Sequence, residues 1–106
     1  MIDIEKNLRT FFLDDALGGE KEKTTFTLAV PQGARIYGVE RHGTYDLMLS
    51  VFVDEDIACT ELRTFLVVKG QIEDLMKETL GEAPGTPIGS IGLPGQLMVR
   101  TYELNG

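Results

Sequence analysis

The stretch Tyr45–Glu55, YDLMLSVFVDE, decides the fold class. Tyr45, Leu47, Leu49, Val51 and Val53 recur at every second position. That is the period of a β-strand, whose side chains alternate between two faces. The intervening positions are Asp46, Met48, Ser50 and Phe52, with a single charge among them. A strand with one face in water would carry more polar residues there, so the pattern predicts a central strand covered on both sides.

Working outward, the same period recurs. Upstream, TTFTLAV (Thr24–Val30) sets Phe26, Leu28 and Val30 against Thr25, Thr27 and Ala29, and Pro31 with Gly33 stops it. NLRTFFLD (Asn7–Asp14) and RIYGVER (Arg35–Arg41) are further strands, the second turning at HGT. Downstream, LRTFLVVKG (Leu62–Gly70) is rich in β-branched and aromatic residues. The period then changes. Ile72, Leu75, Met76 and Leu80 form one stripe at helical spacing, which predicts an amphipathic helix over Gln71–Leu80 with Gly81 as its cap. PIGSIGL and QLMVRTYEL supply the last two strands. The class expected is α+β: a mainly antiparallel β-sandwich or partly open barrel of six to seven strands with one amphipathic helix, in a single domain spanning residues 1–106.

Charge narrows the function classes. Against 10 Lys and Arg stand 17 Asp and Glu, a net charge of −7. Broad nucleic-acid or anionic-membrane binding needs a basic surface, so neither is expected, although a local basic spot for a small anion is compatible. The one cysteine, Cys59, leaves no internal disulfide to form, and no apolar run reaches bilayer length. The N-terminal MIDIEKNLRTFFLDD carries charges throughout, unlike a signal peptide, and a cytoplasmic location is expected.

Glu82–Gln96, EAPGTPIGSIGLPGQ, raises the question of a phosphate cradle. Such loops run from a strand into a helix N-terminus, whereas here the helix precedes the glycines and a strand follows them. Turn chemistry accounts for these glycines, with Pro94–Gly95 making a type II-like turn. Gly89 and Gly92 retain one functional reading: without side chains they let a ligand or another backbone approach the sheet. His42 falls at a hairpin turn and Cys59 in a loop with no adjacent cation, neither with a catalytic partner at recognisable spacing. Asp54, Glu55, Asp56 and Glu61 gather in one loop but lack the glycine and alternation of a calcium loop. Asp46, inside an apolar strand, is expected either to face solvent or to pair with Arg63 or Arg100. Arg35, Arg41, Arg63 and Arg100 are the set suited to an anionic ligand, near Gly89 and Gly92, because guanidinium forks fit phosphate; salt bridges are the commoner role for such residues. No metal site, cofactor or catalytic residue is expected.

From TTFTLAVPQGARIYGVERHGTYDLMLSVFVDE through ELRTFLVVKG and IGSIGL to LMVRTYEL, Thr24 to Leu104, the chain resembles a small β-rich family of unknown function found in phage and prophage genomes. It departs from that pattern in having no tryptophan in the long strand and a longer connection, IEDLMKETLGEAPGTP. The resemblance brings no catalytic residues; it implies a small accessory protein of a phage or mobile element. The function expected is non-enzymatic: a homo-oligomer that neutralises a host defence by holding a small anionic signalling nucleotide or blocking a host protein. The alternatives are a structural or accessory virion protein and an acidic mimic of DNA.

Overall fold

In the computed structural model, residues 8–18, 22–53, 59–78 and 84–104 are described. Among these residues seven strands and one helix follow in order: β1 (Leu8–Leu13), β2 (Lys23–Pro31), β3 (Arg35–His42), β4 (Asp46–Phe52), β5 (Thr60–Gln71), α1 (Ile72–Glu78), β6 (Thr86–Leu93) and β7 (Leu97–Leu104). They form a three-stranded sheet, β1-β4-β3, and a four-stranded sheet, β2-β5-β7-β6, with every pairing antiparallel. The sheets do not close into a barrel.

The long strand is central, as its two apolar faces demanded, but the faces differ. Leu47, Leu49 and Val51 are wholly buried, whereas Asp46, Met48, Ser50 and Phe52 are half-buried. The expected cover on both sides is thus full on one face and partial on the other. Tyr45 lies in the β3–β4 turn at 60% exposure rather than on the buried face. The strand starts one residue later because the chain is still reversing at Gly43, whose φ is 65°.

The inner faces of the two sheets share their cores. Leu13 and Leu47 of one sheet cluster with Val67 and Val99 of the other, and Leu49 and Val51 cluster with Phe65. Alternation along β5 and β7 also gives the four-stranded sheet an outer face, and α1 covers part of it. Leu75 buries against Val68 and Tyr102, with Leu66 and Met98 at the margin. Two polar ties hold the helix down. Ile72 N–H donates to Gln96 O at 2.9 Å, and Arg100 Nη1 donates to Leu75 O at 3.3 Å, satisfying one of the last-turn carbonyls that a helix leaves open. Of the expected helical stripe, Ile72 is half-buried and Leu75 is buried; Leu80 and Gly81 lie outside the described residues.

Candidate functional site

The four expected arginines fall on three different surfaces. Arg35 and Arg41 stand near opposite ends of β3, both exposed. Arg35 lies over the Phe52 ring, 5.5 Å from its centroid, and Arg41 Nε donates to Gly43 O at 3.2 Å. Arg63 sits on the inner side of β5. Arg100 is on the outer side of β7, tied to the helix, and its Nε is buried with no hydrogen-bond partner. No single anion cradle gathers all four.

Arg63 instead makes a clamp. Its Nε and Nη2 donate to the two carboxylate oxygens of Glu103, the second at 2.6 Å, and its Nη1 donates to Ala34 O. Glu61 adds a second carboxylate at 3.8 Å and also accepts from Gly33 N–H at 3.3 Å. Both side chains of the main pair are mostly buried, at 18% and 16% exposure. Register explains the geometry. Glu103 lies opposite Phe65, so it shares a face with Arg63 two residues along the strand. The Glu103 hydrogen bond raises the Arg63 pKa above its ordinary value, against the opposing cost of burial. A recess opens here, lined by Gly33, Ala34, Glu61, Arg63, Glu103 and Leu104. Two carboxylates facing the guanidinium make it unsuited to an anion.

Several expectations are corrected. Asp46 does not pair with Arg63 or Arg100; its Oδ1 accepts from Asp15 N–H at 2.7 Å, steadying a residue with φ 58°. A backbone donor in a neighbouring turn met its need, which side-chain pairing rules could not reveal. Glu61 belongs to β5 rather than to an acidic loop, because the strand begins at Thr60. Asp54, Glu55 and Asp56 lie outside the described residues. Among the described residues no three His, Cys, Asp or Glu side chains group as metal ligands. Lys69 lies in β5 as expected, and its Nζ donates to Gly18 O at 2.8 Å. Arg63 and Lys69, on the same face of β5, thus reach backbone carbonyls in the β2–β3 and β1–β2 connections.

The glycines also resolve. A Cβ on Gly89 would meet Val39 Cγ1 at 3.0 Å, so this glycine makes room for the facing sheet, not for a ligand from outside. A Cβ on Gly85 would come within 2.3 Å of Glu103 O, so the chain passes hard against β7 there. Gly92 is exposed with open space around it. Gly95, at φ 81°, turns the chain between β6 and β7 as Pro94–Gly95 predicted. His42 ends β3 instead of starting the turn, and its ring lies 4.8 Å from that of Phe12. Cys59 is exposed.

The residues that sequence reading missed lie on the outer face of the three-stranded sheet. Register places Leu8, Phe52 and Arg35 in one row, Thr10, Ser50 and Gly38 in the next, and Phe12, Met48 and Glu40 in the third. Phe12 is 48% exposed. Beside this face, Tyr37 projects at 69% exposure from a β-bulge between Ile36 and Gly38. A glycine inside a strand pattern often marks such a bulge, and Gly38 was the available clue.

Charge is also partitioned. Arg9, Lys23, Arg35, Arg41, Arg63, Lys69 and Arg100 place seven cations in the described strands, against four carboxylates, Glu40, Asp46, Glu61 and Glu103. Seven minus four leaves the strands at +3 within a chain of −7. The described sheet faces therefore offer no row of carboxylates of the kind a DNA mimic needs.

No protein-family model, curated protein or solved structure matches the chain. Among the described residues no helix is long and apolar enough to cross a membrane.

Proposed function

We propose that this chain works by binding rather than by chemistry, as a small non-enzymatic accessory protein of phage type acting in the cytoplasm of an infected bacterium. Its two sheets form a β-sandwich, and it acts as a homo-oligomer that neutralises a host-defence component. One observation supports this reading above others. Of the five large hydrophobic residues exposed among the described ones, Phe12, Tyr37 and Tyr45 belong to the three-stranded sheet or its β3–β4 turn, and Leu62 and Leu97 to the four-stranded sheet. Exposed aromatic rings gathered on one three-stranded sheet and its turn are the composition of an interaction surface.

The ligand class that fits is a small anion with a flat ring, such as a signalling nucleotide. Arg35 and Arg41 are the two exposed members of the arginine set on this sheet, on its opposite faces, and Arg63 faces Glu103. The test is calorimetric titration of the wild-type protein with a panel of cyclic di- and trinucleotides, repeated on Arg35→Ala and Arg41→Ala. Saturable binding lost in one variant, with its circular dichroism unchanged, is the expected result. Heats at the level of dilution for every nucleotide would remove the nucleotide reading and leave a protein target or a virion role in front.

A further inference from the structure

The three rows on the outer face of the three-stranded sheet have a symmetry that a ligand site does not require. On one side of the central row, Thr10–Ser50–Gly38, stand Leu8, Phe52 and Arg35; on the other stand Phe12, Met48 and Glu40. Rotate a copy of the sheet by 180° about an axis lying along the central row, just above the face. Each strand column then stays over itself and the outer rows exchange. Leu8 meets the second copy's Phe12, Phe52 meets its Met48, and Arg35 meets its Glu40. Small side chains and a glycine lie on the axis, where two copies approach most closely. Apolar positions meet apolar ones and each cation meets an anion, twice over, as an isologous contact requires.

We propose that this face docks a second copy of the chain, through a two-fold axis along Thr10–Ser50–Gly38, in a dimer held in register by reciprocal Arg35–Glu40 pairs. This rests on the reading of the same sheet as an interaction surface. Magnitude sets the kind of dimer. Three strands and three rows cover a patch on the order of 400 Å² or less, from strand spacing and rise. A standard complex buries about 800 Å² per partner, so the contact is reversible. Exposed ion pairs contribute little strength, which leaves Phe12, Met48 and Phe52 to drive association and the charges to select its register.

Sedimentation velocity over a concentration series tests the proposal. The wild type should exchange between monomer and dimer at roughly ten to several hundred micromolar. Arg35→Glu places like charges opposite each other at two points and should weaken the dimer at least roughly tenfold; Glu40→Arg should do the same. The double variant, Arg35→Glu with Glu40→Arg, restores opposite charges and should recover association to within a few-fold. A wild type that stays monomeric to about one millimolar overturns the proposal. So does a single reversal that leaves association unchanged, or a folded double variant that fails to recover it. Nucleotide binding without self-association would sink the dimer alone, and charge-swap rescue without nucleotide binding would sink only the ligand reading.

Discussion

The two sheets treat their outer faces differently. The four-stranded sheet lays α1 over Val68 and Tyr102 and lines the neighbouring positions of β2 and β5 with threonines, where Thr27 and Thr64 hydroxyls lie 3.2 Å apart. The three-stranded sheet turns Phe12, Met48 and Phe52 outward under no described helix. Their inner faces show no such difference, since both supply wholly buried residues to the same clusters. Among the described residues one helix supplies cover, and it lies on the four-stranded sheet, where Leu62 of β5 still stands 75% exposed.

Substitutions can break or sharpen this contrast. The largest effect belongs to the layer both sheets share. Phe65→Ala removes a wholly buried ring and should cost about 3–5 kcal/mol in urea unfolding. Leu75→Ala tests the covered outer face and should cost about 2–3 kcal/mol if the helix is an integral part of the fold. A loss below about half a kcal/mol would show that the helix covers nothing of consequence.

The clamp comes next. Glu103→Gln keeps the shape but removes the charge facing Arg63 and should cost about 1–3 kcal/mol. The Arg63 pKa is raised, so the arginine side of the pair contributes fully below the ordinary arginine value and is lost only as pH climbs through the still higher folded value. A scan from about pH 6 to about pH 10 should therefore show no loss attributable to Arg63. A smaller effect of opposite sign is expected at Thr101, whose buried hydroxyl has no hydrogen-bond partner. Thr101→Val should stabilise the fold by up to about 1 kcal/mol, and a clear loss would mean the hydroxyl is satisfied in solution. Smallest of all, Phe12→Ala should change thermal unfolding by under about 1 kcal/mol, because its ring is 48% exposed. Sedimentation of that variant should nevertheless shift toward monomer, the sharpest separation of a surface that stabilises from one that associates.

The strands were legible because alternation is a local property: Phe26, Leu28 and Val30 declare an inner face without help from the rest of the chain. The helix was legible for the same reason, through Ile72 and Leu75. Partnership was not. Arg63 meets Glu103 only because β5 and β7 pair in one particular register, and nothing near either residue records that register. Of the two readings of Asp46 only the arginine pairing fails, and the partner it does take, a backbone N–H at Asp15 with φ 58°, is set by a turn far away in sequence. The outer face of the three-stranded sheet stayed hidden because its rows draw on three strands, each contributing one residue to each row.

The order in which strands pair has a consequence for how the chain reaches this state. Among the described strands only β3–β4 and β6–β7 join paired neighbours through short turns; β1 and β2 must each wait for a strand far along the chain, as Leu13 pairs with Leu47 and Pro31 with Thr60 at the nearest. Closing such loops costs entropy before any contact repays it, which places folding in the range of roughly milliseconds to seconds. On a ribosome adding roughly 5–20 residues per second, β1 and β2 spend seconds with bare edges before β4 and β5 emerge. The order of synthesis then bears on the yield of folded chains. Moving β1 to the C-terminus by circular permutation should change that yield more than it changes the unfolding midpoint.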